Sequence, residues 1–179
     1  MIKVTIFLVI IILLGILALL FFAYYSKLSY LLDKTNYVDN LISKDLDNKY
    51  DLLIRMNKTM KKALHAKKDY LSGIEELNSS ELFNEEKDIK LSEYAETVNH
   101  LISDYTKLAN HKDIRKQISE MSELNEKIDA SKTYFNKNMT DLSKLYTTFP
   151  TNIISKLAHV KIKTLYQTNE SIKKINEEL

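Results

Sequence analysis

Cysteine and tryptophan are absent from the 179-residue sequence, proline occurs once and glycine twice. Without a thiol there is no disulfide, no thiol nucleophile and no thiolate metal site. With so little Gly and Pro, a β-sandwich or barrel lacks the punctuation its turns require. Charge of one sign is missing too. The 26 basic and 24 acidic residues leave a net charge of +2, which excludes a strong pull toward nucleic acid. The four histidines, His65, His100, His111 and His159, show no metal-ligand spacing, and there is no HExxH, so no metal is expected. A Gly-rich phosphate loop and a G-x-S-x-G elbow are also lacking. The carboxylates form no pair that spacing alone places together. No catalytic residue, cofactor site or metal ligand is expected, and the chain reads as a non-enzyme.

What the sequence does have is one long apolar run. Val4 to Tyr25 read VTIFLVIIILLGILALLFFAYY without a charge. Those 22 residues span about 33 Å as a helix, enough for the hydrocarbon core of a bilayer. Phe21, Phe22, Tyr24 and Tyr25 close the run, as rings at a headgroup boundary do. The run is too long for the apolar part of a signal peptide and lacks a small-x-small site, so residues 1–25 are expected to be an uncleaved anchor. Lys3 lies before it, and Lys27 and Lys34 lie after it. This asymmetry, one lysine in size, favours a cell-membrane protein with its domain on the cytoplasmic side.

Beyond the anchor, apolar residues recur at three and four. Leu28, Leu31, Leu32, Val38, Ile42, Leu46, Leu53, Met56, Met60, Leu64, Leu71 and Ile74 keep one phase, predicting a long helix over 26–77. Only Asp45, Asp47 and Asn48 could interrupt it, and the phase does not reset there. Residues 78–84 read as a loop, with Asn84 as an N-cap. The stripe Leu91, Tyr94, Ala95, Val98, Leu101, Ile102, Tyr105 and Leu108 predicts a helix to about Ala109. Residues 110–113 are a link, with Asp113 as a cap. Ile114, Ile118, Met121, Leu124, Ile128, Phe135, Met139, Leu142, Leu145 and Tyr146 mark another helix. Pro150 must stop it near Phe149. Ile153, Ile154, Leu157, Val160 and Leu165 form a shorter amphipathic segment that should pack back on the rest. Stripes of this kind must bury one another. The expected fold is all-α: a transmembrane helix running into an antiparallel bundle of the four-helix type over 26–170, with a polar tail at 171–179.

Three features break the pattern. Lys49 falls on the apolar stripe, where it must snorkel or pair with an acid on a facing helix. Asn136, beside Phe135, suits a cross-helix hydrogen bond that fixes register. Arg55, Lys58, Lys61, Lys62, Lys67 and Lys68 make a basic run, read as a solvated face offset by Glu75, Glu76, Glu81, Glu85 and Glu86. Most of the eleven tyrosines lie on apolar stripes or flank the anchor, as packing residues do.

Several stretches resemble the LemA family of bacterial membrane proteins. The family's Y-P-x-L-K-A is similar to the segment with Tyr105 and Leu108. Its I-x-x-x-R-x-x-[YF]-N is similar to Ile128, Lys132, Phe135 and Asn136, and its F-P to Phe149 and Pro150. Upstream, Y-N-x-L resembles Tyr25, Ser26, Lys27 and Leu28, and L-x-x-R-x-D-L-I resembles Leu46, Lys49, Asp51, Leu52 and Leu53. The chain departs from the pattern at Lys49 and Lys132 (arginines in the family), Thr106 (proline), Ala109 (lysine), Asn125 (glutamate) and Ile54 (proline). Residues 78–104 carry the least similarity. The resemblance implies a divergent member: a single-pass helical bundle with no established enzymatic activity, acting beside other envelope proteins. Function is therefore expected to be that of a membrane-anchored scaffold or adaptor for membrane or envelope proteins. Its partners would be the lipid bilayer through residues 4–25, those proteins, and optionally a second copy, with no nucleic acid. The alternative is a membrane-tethered sensor whose bundle binds a ligand.

Overall fold

A computed structural model of the protein describes residues 2–79, 82–157 and 162–168. Among them every regular element is a helix: α1 (Ile2–Ala63), α2 (Glu76–Ser79), α3 (Asn84–Asp104), α4 (Thr106–Ala109), α5 (Lys112–Thr147) and α6 (Thr151–Leu157). The expected all-α fold is what forms. The 62 residues of α1 run unbroken through Asp45, Asp47 and Asn48, continuing the apolar run without a reset.

The prediction of helix to residue 77 overshoots. At the end of α1 the Ala66 amide donates to the Lys61 carbonyl (3.1 Å) and the His65 amide to that of Lys62 (3.3 Å). This is a Schellman closure with His65 at φ 53° in the left-handed position. Glycine usually marks that position, and a histidine there gives the sequence no stop signal. The apolar spacing survives because turns replace the helix. Amides of Ile74 and Leu77 donate to carbonyls of Leu71 and Ile74 at 3.2 and 3.1 Å. Leu71, Ile74 and Leu77 thus stay buried at intervals of three.

Asn84 is the first residue of α3, and extended Phe83 stands at the cap position without a side-chain bond. The expected cap does not form because Asn84 lies one residue inside the helix; its amide nitrogen donates to the Asp39 carbonyl and carboxylate at 3.2 Å each. The helix predicted to Ala109 breaks at Tyr105, whose φ −115° and ψ 98° are extended. Proline at 106, as in the family pattern, would force this conformation on its predecessor. Thr106 leaves the same break without the signal. The link before α5 is two residues, and Asp113 sits inside the first turn of α5. Helix α5 stops at Thr147, close to the expected end.

The chain forms two compact units. In the unit of residues 38–134 and 166–179, side-chain pairs set the directions. Asp39–Asn84, Asp47–Lys87 and Lys49–Ser92 make α3 run with α1. Thr59–Gln117, Arg55–Glu120 and Asp45–Lys127 make α5 run against it. Asn57–Asp69 starts a limb of turns that descends beside α1 before α3 rises. Successive limbs therefore alternate in direction, as in a four-helix bundle with one limb unwound. Ile42, Leu46, Leu53, Met56, Met60, Leu91, Val98, Ile114 and Ile128 fill its core, each buried. Each such side chain contributes about 1.5–3 kcal/mol on leaving water.

The other unit holds residues 1–37 and 135–165. Leu28, Phe135, Met139, Leu142 and Ile154 are its buried apolar residues. Its buried hydroxyls are satisfied by nearby backbone: Thr35 donates to the Leu31 carbonyl and Ser155 to that of Thr151, both at 2.7 Å, and Thr151 donates to that of Thr148 at 2.8 Å. The segment after Pro150 packs back less than its pattern predicts. Ile154 is buried, whereas Ile153 and Leu165 are more than half exposed. Val160, His159 and the tail at 171–179 lie outside the described residues.

Candidate functional site

The bundle's most unusual chemistry is a buried charge cluster. Lys49 on α1, Asp88 on α3 and Lys132 on α5 are exposed by only 4, 9 and 9%. Asp88 receives both ammonium groups. Lys132 Nζ pairs with Oδ2, and Lys49 Nζ stands 3.8 Å from Oδ1. Lys49 also donates to Ser92 Oγ at 3.0 Å. Charged groups this deep must be paired, and Lys49 does what its place on the apolar stripe requires. Burial pushes its ammonium below the ordinary lysine range; Asp88 pulls the other way and Lys132 repels it further down.

Two further ties join the same helices. Lys127 bonds the buried Asp45 at 2.8 Å. Lys87 pairs with Asp47 across α1 and α3. At one end of the unit, the Tyr166 hydroxyl donates to the Asp39 carboxylate that also accepts from Asn84. Burial and that acceptor push the Tyr166 hydroxyl well above the usual tyrosine range.

Sequence reasoning found Lys49 and missed its partner. Asp88 stands three residues before Leu91, in phase with the stripe Leu91–Val98, and Lys132 lies in phase between Ile128 and Phe135. Polar residues at core phase were the available signal. Asn136 is half-buried, and the fully buried amide nearby is Asn138. The basic run is offset partly by acids not foreseen: Lys61 meets Asp69 at 3.5 Å and Arg55 meets Glu120 at 3.3 Å.

The cluster is suited to fixing register rather than to turnover, because one carboxylate clamped between two ammonium groups is closed to substrate. Open space lies elsewhere. A cavity of about 210 Å³ is lined by Leu53, Met56, Val98, Met121 and neighbouring polar side chains. That is below the roughly 300–1,000 Å³ of ordinary ligand pockets. A wider hollow of about 750 Å³ along α1 and α5 has charged walls, with Asp51, Arg55, Glu120, Glu123 and Lys127. Among the described residues no group of three or more His, Asp or Glu is placed to hold a metal.

The sequence model of the LemA family matches residues 40–177, most of the chain. The matched stretch includes Lys49, Asp88 and Lys132. No curated protein and no solved structure matches.

Proposed function

The chain belongs to the LemA family, and on that premise we propose that it is a membrane-anchored scaffold or adaptor without catalytic activity. Residues 4–25 hold it in a lipid bilayer, and its bundle presents surfaces to other membrane or envelope proteins. The observation that carries the reading is the fate of the apolar run. α1 is long and apolar enough to cross a membrane, and its most apolar stretch is covered by no other part of the chain. Leu8, Leu14 and Leu19 are exposed by 53, 59 and 72%. An uncovered face of this size supports an apolar phase around it.

The bundle is assigned to the cytoplasmic side, from the lysines after the span. A single cysteine at exposed Lys116, in a chain with none of its own, tests this in intact cells. Protection from an impermeant thiol reagent is expected, and labelling reverses the assignment. The scaffold role is tested by a photo-crosslinking residue at Phe83, which is 80% exposed. A discrete adduct with a membrane or envelope protein is expected. Only self-adducts would indicate a homo-oligomer, and no specific adduct under any growth condition overturns the role.

A further inference from the structure

We infer that the turn after α5 makes a second, peripheral contact with the bilayer, in which Phe149 and Ile153 enter the interfacial layer beside the point where α1 leaves it. The inference rests on the anchoring role proposed for residues 4–25.

Three observations within the unit of residues 1–37 and 135–165 carry it. The first is level. Helix α1 is uncovered through Ala23, and Leu28 is its first buried residue, at 1% exposure. The same unit includes residues 135–165. α5 runs against α1. Residues 4–23 are uncovered, so 135–165 lies along the stretch of α1 that follows them. With both helices unbroken and α5 running against α1, the turn at Phe149 falls toward the rings that close the apolar run.

The second is exposure. Phe149 is 76% exposed and Ile153 53%, whereas the adjacent Ile154 is buried at 4%. An exposed phenylalanine at a turn, next to an exposed isoleucine on α6, forms an apolar tip. Apolar and aromatic side chains gain by entering the boundary between headgroups and acyl chains.

The third is charge. Beyond the apolar run, the described residues of this unit carry six lysines (27, 34, 137, 144, 156 and 163) against two aspartates, Asp33 and Asp141. Lys27, Lys144 and Lys156 are exposed. A basic surface beside an apolar tip matches anionic headgroups. The same excess agrees with a cytoplasmic bundle.

The test uses the full chain in vesicles of phosphatidylcholine and phosphatidylglycerol. Single cysteines replace Phe149, Ile153, Leu14 or Lys116, and each carries an environment-sensitive fluorophore. Retained helicity by circular dichroism is required of each variant. At Phe149 and Ile153, brominated lipid is expected to quench the probe, and aqueous iodide quenching is expected to fall well below that at Lys116. Iodide quenching at both positions equal to that at Lys116, with Leu14 quenched by lipid, overturns the inference and spares the anchor. Protection at Phe149 and Ile153 from both quenchers means that protein covers the tip, which also overturns it. Iodide quenching at Leu14 defeats the anchor itself. Should F149C fail to fold, I153C gives the same reading.

Discussion

Asp45 keeps 2% of its side chain exposed, yet the Lys127 ammonium that bonds it at 2.8 Å belongs to a side chain 62% exposed. The lysine reaches inward from solvent to neutralise a carboxylate that cannot leave. Its other oxygen, Oδ2, is buried without a hydrogen-bond partner. The pair is therefore unequal: water can solvate Lys127 when the bond breaks, whereas Asp45 is left buried.

Lys127→Ala is expected to destabilise the protein by about 1–3 kcal/mol, the cost of leaving a buried acceptor unsatisfied. Adding Asp45→Asn should recover part of that loss, because the amide carries no charge to strand. Denaturant unfolding in detergent, followed by circular dichroism, measures both. Equal stability of Lys127→Ala and the parent would show that the tie is a surface contact with no weight.

The three-way cluster makes a sharper prediction. Asp88→Asn leaves two buried ammonium groups facing each other and is expected to cost about 3–5 kcal/mol. Lys49→Met should cost less than about 1 kcal/mol, since Asp88 keeps Lys132 and a buried desolvated charge is removed. The variants also differ in alkali. Burial holds the folded Lys49 ammonium below the unfolded value of 10.5. Between the lowered value and 10.5 the unfolded chain binds more protons, so stability rises with pH through that window. The parent should gain on Lys49→Met over this range. Identical pH profiles, or a harmless Asp88→Asn, would remove the cluster from any account of stability.

These residues also mark how far the sequence was readable. Helix α1 was legible through its core because Ile42, Leu46, Leu53 and Met56 repeat at helical spacing, and Lys49 stood out against them. The end of α1 was not legible, because a Schellman turn built on His65 has no glycine to announce it. Leu71, Ile74 and Leu77 deepened the error, since turns with three-residue spacing imitate a helical stripe over a short stretch. Asn84 looked like a cap because cap residues are chosen locally. The side chain's partner, Asp39, lies 45 positions away, and a local signal cannot contain it. Asp88 was hidden for a similar reason: a stripe read for apolar residues passes over an acid in phase with it. The exposed tip at Phe149 was read only as a helix stop, because exposure depends on what the rest of the chain leaves uncovered.

Tyr166 closes the unit at the far end of the sequence, and its hydroxyl gives the last prediction. It donates to Asp39, which also holds Asn84, so a single phenol joins residues 166, 39 and 84. Its folded pKa lies above the unfolded 10.0 through burial first and the Asp39 acceptor second. The neutral phenol is thus the stabilised form. Below pH 10 both states keep the proton and the contribution is complete. Above 10 the unfolded chain ionises first, and stability falls until the folded value is passed. Tyr166→Phe removes the titration and the hydrogen bond together. At neutral pH it is expected to cost about 1–3 kcal/mol, as for a bond to a charged acceptor. Above pH 10 the gap to the parent should narrow, because only the parent has this contribution to lose. Subtracting the two profiles cancels Lys49, which titrates alike in both proteins. A gap that stays constant from neutral pH to well above 10 would mean that the Tyr166 hydroxyl does not hold its proton against Asp39, and that residues 166–168 are packed there by their apolar surface alone.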